Sequence, residues 1–448
     1  MDLPPSDARP GSEDSYLISR GAAWFAFAMT LGLMIVDYVD RQVIVSLFPH
    51  MKEDWGLSDK QLGALVSVVS VTVALGAIPV ALFADRTSRV RSIVVMAVVW
   101  SMATISCMFT RGYGQLLAAR SFVGLGEAGY GSVGAALIAS HFPSRMRGAL
   151  LAGFFASASV GSVLGVMLGG VIAAHWGWQA AFGVVGVPGL ILALLYLKVR
   201  DYRTVALDPT QDARRRSVVK AAQHIFSLLV RSPTMLWVCI GGAAQLIVVS
   251  ALWSWLPSFL NRVHGIAPPQ AAVKAAMVVL AGAVGSVIWG AVVDRAGRRN
   301  PSRKLALMAL LCVVAMAVLG FTFGAERLGV VLGADTQFAL ILLGGFIATC
   351  TVGPVSAIVI DVIHPGVRAT GLAVLALFQN LLGLAAGPFL AGILSDAWGL
   401  VPALTTTPVF ALVAAGAFLL AAGSYEADKA RASEPLEVPP SAARHAPA

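Results

Sequence analysis

Twelve apolar runs, each long enough to cross a lipid bilayer as a helix, constrain this chain more than any other feature. A transmembrane helix needs about 20 predominantly apolar residues, and short polar segments separate these runs. With 58% hydrophobic and only 12% charged residues, the chain has too much apolar surface for one aqueous core. The runs lack the alternation of a membrane β-barrel, so the sequence predicts an all-α membrane protein. The predicted spans are residues 20–47, 58–84, 90–110, 114–141, 148–174, 179–199, 234–260, 271–294, 303–324, 335–361, 370–395 and 401–423.

The placement of lysine and arginine predicts which way the spans cross. Cytoplasmic loops of membrane proteins carry an excess of these residues. One set of alternate loops has few of them: Lys52, Lys60, Arg111, Arg262, Lys274 and Arg327. The other loops and both tails hold nearly all the rest, so we predict that both termini are cytoplasmic. Topology then explains the net charge of +9, and no nucleic-acid partner is expected.

The longest polar interruption lies near the middle of the chain and separates six spans from six. It contains apolar residues at helical spacing, which fits either a short amphipathic helix on the inner leaflet or a solvated linker. The predicted organisation is a cytoplasmic tail at 1–19, a six-helix bundle at 20–199, a cytoplasmic linker at 200–233, a second six-helix bundle at 234–423 and a disordered tail at 424–448.

A pattern of glycine and tryptophan recurs at a constant separation and supports an internal duplication. Glycines about four residues apart let helix backbones approach closely. Such glycines fit a helix pair that slides as well as static packing. Each member of the first set has a counterpart 222 positions later: Gly161, Gly165, Gly170, Trp176 and Gly177 correspond to Gly383, Gly387, Gly392, Trp398 and Gly399.

A basic loop motif also occurs twice, between spans 2 and 3 and between spans 8 and 9. The two copies contain Asp85, Arg86 and Arg89, and Asp294, Arg295 and Arg298. These loops resemble the major facilitator superfamily, whose motif G-x-x-x-D-R-x-G-R-[RK] the second copy matches at every defined position. The first copy departs from it at Ala81 and Ser88. The resemblance implies two pseudo-symmetric six-helix bundles, alternating access by a monomer, and a gate in which these charges form pairs that break during the cycle.

Five charged side chains stand out at membrane depth, away from the ends of the predicted spans. Asp37, Asp40 and Arg41 share one face of span 1, and Arg120 and Glu127 share one face of span 4. An ionisable group in a span costs at least several kcal/mol, so each is a candidate for function. We predict that the carboxylates carry protons while the arginines bind an anionic substrate group or pair with them. The alternative is that Asp40–Arg120 or Glu127–Arg41 is a permanent ion pair that only fixes helix packing.

The second half offers neutral candidates for the wall of a substrate cavity. Gln245 lies on span 7, and Phe378 and Asn380 lie on span 11. Amides and aromatic rings suit a cavity that holds an amphipathic molecule. The same amides could instead form hydrogen bonds between helices.

Two longer motifs narrow the resemblance to two branches of the superfamily. The pattern D-Y-x-D-R on span 1 and R-x-x-x-G-x-G-E-A on span 4 resembles both the Spinster-like lipid transporters and the organic-anion:proton symporters that take up sugar acids. Gly129-Tyr130 follows the G-E-A and is more similar to the Spinster pattern G-E-A-x-Y. The Spinster resemblance implies proton-linked movement of lysolipid-like or sphingolipid-like molecules across a bacterial-type inner membrane. It implies functional roles for Asp40, Arg41, Arg120 and Glu127, and we add Tyr130 to the residues expected to bind substrate.

Other classes of function lack their signatures in the sequence. An enzyme would need a nucleophile, a metal cluster or a phosphate loop, and the chain has no G-x-x-x-x-G-K-[ST] and no His/Cys/carboxylate cluster. We therefore expect no enzymatic activity, no metal and no cofactor, with a proton gradient as the energy source. The partners expected are protons, membrane lipids and a small anionic or amphipathic substrate. A drug:proton antiporter and a channel are further alternatives, and the duplicated gate loops argue against the channel.

Overall fold

The structure is a computed structural model that describes residue 16 and residues 18–86, 88–199, 232–298, 302–364 and 368–432. Within these ranges it contains twelve helical segments long and apolar enough to cross a membrane. The predicted linker lies outside the described residues except for its last two. The predicted N-terminal tail also lies almost entirely outside them.

The first half contains spans 1 to 6. Span 1 consists of helices Arg20–Val43 and Phe48–Trp55 with the 3-10 turn Ile44–Leu47 between them. Span 4 is divided into helices Tyr113–Glu127 and Tyr130–His141. The remaining spans are single helices: Asp59–Arg86 (span 2), Arg89–Cys107 (span 3), Ser144–Trp176 (span 5) and Trp178–Tyr196 (span 6).

The second half contains spans 7 to 12, and its interrupted spans are 10, 11 and 12. Span 7 is Pro233–His264, span 8 is Pro268–Gly297 and span 9 is Ser302–Gly324, followed by the short turn Ala325–Leu328. Span 10 consists of Ala334–Ala348 and Val352–Asp361. Span 11 consists of Arg368–Phe378, the π-helical turn Gln379–Leu384 and Ala386–Trp398. Span 12 consists of Leu400–Thr406, Thr407–Val409 and Phe410–Ala432.

The last helix continues beyond residue 424, where the sequence predicted the tail to begin. It ends at Ala432, and a buried carboxylate near its end explains the extension. Asp428 accepts hydrogen bonds from the hydroxyl of Ser232 and the backbone N–H of Thr234, at the start of span 7. The carboxylate therefore caps the first turn of span 7 and holds the end of span 12 against it.

Equivalent helices of the two halves pack in equivalent ways. In the first half, span 1 packs on span 5, and span 3 packs on spans 4 and 6. In the second half, span 7 packs on span 11, and span 9 packs on spans 10 and 12. The halves meet where span 2 packs on span 11 and where span 5 packs on span 8, two contacts that are themselves equivalent. The predicted fold of two pseudo-symmetric six-helix bundles is confirmed. The side on which the termini lie stays a prediction.

The repeated glycines occupy equivalent close contacts in the two halves. On span 5, a Cβ added at Gly165 would lie 2.5 Å from the carbonyl oxygen of Val39 on span 1, and on span 11 Gly387 approaches the backbone of span 7 in the same way. The third glycine of each set faces the opposite half. A Cβ at Gly170 would lie 2.5 Å from the Cβ of Ala272 on span 8, and one at Gly392 would lie 2.5 Å from the carbonyl oxygen at the start of span 2.

The repeated Trp-Gly pair ends spans 5 and 11. Gly177 has φ 82° and Gly399 has φ 90°, and this region of backbone space favours glycine. The chain therefore turns sharply into the next span at the same place in each half.

Candidate functional site

Span 4 breaks at its midpoint, directly after Glu127. The first helix ends there, Ala128 is extended, and Gly129 has φ 87° before the second helix begins at Tyr130. Glycine permits this backbone conformation at little cost. Interrupted helices near the middle of a span are typical of binding sites in secondary transporters. The break places the Glu127 carboxylate at the end of a helix, facing span 1.

The first group of charges is formed by Arg41, Asp37 and Glu127. The Nε atom of Arg41 lies 2.9 Å from Oε2 of Glu127 and 3.6 Å from Oδ2 of Asp37. The Arg41 guanidinium carbon also lies 5.4 Å from the centroid of the Tyr38 ring. The Arg41 side chain is 17% exposed, whereas that of Glu127 is 0% exposed. One partly exposed cation therefore lies between two buried carboxylates.

The second group of charges is formed by Asp40, Arg120 and Thr104. Nη1 of Arg120 lies 3.3 Å from Oδ1 of Asp40, and the hydroxyl of Thr104 donates a 2.6 Å hydrogen bond to Oδ2. The side chains of Arg120 and Asp40 are 1% and 0% exposed. This group joins spans 1, 3 and 4 in the interior. Thr104 was missed by the sequence reasoning, since a lone threonine on an apolar span carries no signal.

The structure thus contains both ion pairs that the sequence predicted as possible permanent contacts. The two pairs differ in how far the arginine side chain is exposed. The Arg41 side chain is partly exposed, whereas Arg120 is enclosed with its carboxylate. The predicted proton-carrying and substrate-binding roles of these residues stay predictions.

The neutral candidates fall into two groups. Gln245 and Tyr130 are buried, and each bonds to a backbone carbonyl: Gln245 donates to Ala348, and the Tyr130 hydroxyl donates to Thr30. Both act as helix-to-helix contacts in this conformation. Phe378 and Asn380 are half-buried at the π-helical turn of span 11.

The structure describes the second copy of the duplicated loop motif more fully than the first. Asp294 is 60% exposed and lies 3.6 Å from the ammonium of Lys304, which also lies 3.7 Å from Asp361. These three residues belong to the second half. Arg295 and Arg298 are exposed at the end of span 8, and Arg89 begins span 3. The side chains of Asp85 and Arg86 lie outside the described part of the chain.

A polar cluster at the opposite end of the molecule was missed by the sequence reasoning. It centres on Asp59, at the start of span 2, where span 1 connects to span 2. We call this end the Asp59 end. The Asp59 carboxylate lies 2.6 Å from Nζ of Lys52 and 2.7 Å from Nη1 of Arg262 on span 7. Asp396 on span 11 accepts the backbone N–H of Asp59. The cluster therefore joins the two halves.

Comparison with known proteins gives consistent matches. A sequence model of the Major Facilitator Superfamily matches residues 30–388. Protein spinster homolog 3 of Danio rerio is 25% identical over 87% of this chain and 80% of its own length. An MFS-type efflux pump of Mycolicibacterium smegmatis is 29% identical over 84% of this chain and 85% of its own. A gallate transporter of Pseudomonas putida is 26% identical over 70% of this chain and 76% of its own.

Among solved structures, the fold matches a bacterial homolog of the human lysosomal transporter Spinster. That structure is in an inward-facing, unoccupied conformation. The TM-score is 0.80 at 22% identity, over 92% of this chain and 99% of that one.

Proposed function

This chain belongs to the major facilitator superfamily, and from that premise we propose that it is a proton-coupled transporter of an anionic amphiphile such as a lysophospholipid or a sphingolipid-like molecule. The membership predicted from the paired loops is confirmed, as is the likeness to Spinster proteins. The family and the fold are those of transporters. Coupling, substrate and direction belong to the proposal.

The position of Arg41 is the observation that carries the proposal. Its side chain is 17% exposed, and its Nε atom lies 2.9 Å from the carboxylate of the buried Glu127. A substrate anion that binds Arg41 competes with Glu127 for the same charge. A buried carboxylate that loses its partner is destabilised strongly unless it takes up a proton. Substrate binding and protonation therefore favour each other, and by linkage the effect is reciprocal.

The sum of charges supports uptake of a proton at this site. The two groups contain the carboxylates of Asp37, Asp40 and Glu127 and the guanidinium groups of Arg41 and Arg120. Fully ionised, the site has one excess negative charge. One bound proton neutralises it, and Asp37 and Glu127 are the two carboxylates that lie against the single cation Arg41. The second group is already neutral, so we assign coupling to Glu127 and Asp37 and a positioning role to Asp40.

The neutral residues at the π-helical turn of span 11 support an amphipathic substrate. The candidate wall in the second half consists of Phe378, Gln379 and Asn380, which are half-buried at the π-helical turn. An aromatic ring beside two amides contacts an apolar chain and its polar linkage without adding charge. Arg41 in the first half would then bind the anionic headgroup, and the wall in the second half would contact the apolar tail.

A second candidate is an organic-anion:proton symporter for small carboxylates, including sugar acids. The relative named as a gallate transporter favours it, because a small carboxylate needs the same cation at Arg41. The two candidates differ in whether the substrate has an apolar chain.

Uptake into proteoliposomes distinguishes the two candidates. Labelled lysophospholipid, gallate and a hexuronate are each assayed with and without an imposed proton gradient. We expect lysophospholipid movement that depends on the gradient. Saturable uptake of gallate or hexuronate without lipid movement would instead assign the chain to the organic-anion branch. Equal uptake of a transported compound with and without the proton gradient would disprove proton coupling.

Glu127→Gln tests the coupling residue directly. Glutamine resembles the protonated acid, so we expect substrate binding to persist while the gradient no longer drives accumulation. Glu326→Gln is the matched control, since Glu326 is exposed in the turn after span 9. Full gradient-driven transport by Glu127→Gln would contradict the assigned role.

A further inference from the structure

The first turn of span 2 is capped by both halves of the molecule. Ser58 and Gln61 form a capping box: the Ser58 hydroxyl accepts the N–H of Gln61, and the Gln61 side chain accepts the N–H of Ser58. The intervening N–H groups of Asp59 and Lys60 have no acceptor within that box. They donate 2.8 Å hydrogen bonds to the two carboxylate oxygens of Asp396, on span 11.

The side chain of Asp59 forms a second set of contacts between the halves. It is buried, with Lys52 of its own half on one oxygen. Arg262 of span 7 and the hydroxyl of Ser395 on span 11 donate to the other oxygen. Two carboxylates thus meet two cations and the positive end of a long helix, so the cluster is balanced without any bound ion.

Small residues let the two helices come close enough for these bonds. An added Cβ at Gly63 would collide with the carbonyl of Pro388, and one at Gly392 would lie 2.5 Å from the carbonyl oxygen of Asp59. Nearby, the hydroxyl of Ser67 donates to the carbonyl of Ala385, just after the π-helical turn. The contact between spans 2 and 11 therefore depends on close packing of the two backbones as well as on charged side chains.

We propose that Asp59 and Asp396 form a latch that closes the Asp59 end and sets the equilibrium between the conformations closed and open at that end. The inference rests on the proposed function, because alternating access requires this end to open. Separating the halves removes the Asp396 carboxylate from the N–H groups of span 2 and removes Arg262 and Ser395 from Asp59. Both losses oppose opening, so the latch favours the conformation described here.

The distance across the Asp59 end measures the latch without any substrate. Spin labels at Arg111→Cys and Arg327→Cys lie in exposed loops at that end, one in each half. The buried native cysteines, Cys107, Cys239, Cys312 and Cys350, are replaced by alanine. Pulsed electron paramagnetic resonance then gives the populations of the short and long distances.

We expect Asp396→Asn to shift the population toward the long distance by about tenfold, the size expected for losing a hydrogen bond to a charged group. The asparagine amide would direct a donor at one of the two N–H groups. Asp59→Asn should give a shift in the same direction, and Ser395→Ala a smaller one that still tests the latch if Asp59→Asn does not fold.

Asp335→Asn is the matched control, an exposed carboxylate at the start of span 10, and should leave the distances unchanged. Unchanged distances in Asp396→Asn and Ser395→Ala would overturn the latch, as would an equal shift in the control. This result is separate from the uptake assays: failure of every substrate to move would reject the proposed function while a shifted distance would still support the latch.

Discussion

Spans 4 and 10 break at equivalent positions, but different side chains surround the two breaks. In span 4 the helix stops at Glu127, whose carboxylate pairs with Arg41. In span 10 the helix stops at Ala348, whose carbonyl accepts a hydrogen bond from the amide of Gln245. The backbone interruption is shared by the two halves, whereas among the described residues an ion pair lies at the break of span 4 and an amide hydrogen bond at the break of span 10.

The two breaks distinguish the structural features that duplication explains from the charged residues that function requires. Paired helix breaks and paired glycine contacts belong to the scaffold and recur in both halves. Buried charges are costly in a membrane, so they are retained where a charge is used. We infer that the first half carries the coupling chemistry and the second half supplies a neutral surface. Equivalent substitutions at the glycine contacts of the two halves should therefore have equal effects. Substitutions around the two helix breaks should have unequal effects.

Arg120→Leu should give the largest loss of stability. It leaves the carboxylate of Asp40, which is fully buried, without its cation, and removing one partner of a buried pair costs about 3–5 kcal/mol. The free energy of unfolding is measured by denaturant titration in mixed micelles. Asp40→Asn combined with Arg120→Leu removes both charges and should recover most of the loss. A single variant as stable as the parent would show that this pair does not hold spans 1 and 4 together.

Gly170→Ala and Gly392→Ala should destabilise the molecule by similar, intermediate amounts. Each added methyl group meets the opposite half at 2.5 Å, and overpacking of this kind costs about 1–3 kcal/mol. Unfolding in the same micelles compares the two variants. Gly416→Ala is the control, because a Cβ there meets open space. A large difference between the first two would mean that the two contacts between the halves are not equivalent.

The sequence predicted the spans and the buried charges because both depend on strong local signals. Hydrophobic runs of membrane length identify transmembrane helices directly. A charged residue inside such a run is a candidate functional residue because of its energetic cost there. Spacing along one helix also placed Asp37 and Arg41 on a common face, as the structure shows. The constant separation of repeated glycines predicted equivalent halves.

Contacts between distant residues could not be predicted in this way. Asp59 and Asp396 are 337 positions apart, and a carboxylate near the end of a span does not indicate its partner in a distant helix. The capping pattern of Ser58 and Gln61 could have marked the start of span 2, but nothing in it indicates that an acceptor comes from span 11. Likewise, the access of Arg41 and the enclosure of Arg120 depend on packing between helices, which two arginines in apolar runs do not reveal.

Gln245→Leu should have the smallest effect of the three and tests the neutral half directly. It removes the hydrogen bond to the carbonyl of Ala348, a loss of about 1 kcal/mol in the free energy of unfolding. Leucine also removes the buried amide oxygen of Gln245, which has no partner among the described residues, and this limits the loss. Because no titrating group is involved, gradient-driven transport in proteoliposomes should keep the pH dependence of the parent. A changed pH profile in this variant would mean that the second half takes part in coupling, and the contrast between the two helix breaks would no longer explain where protons bind.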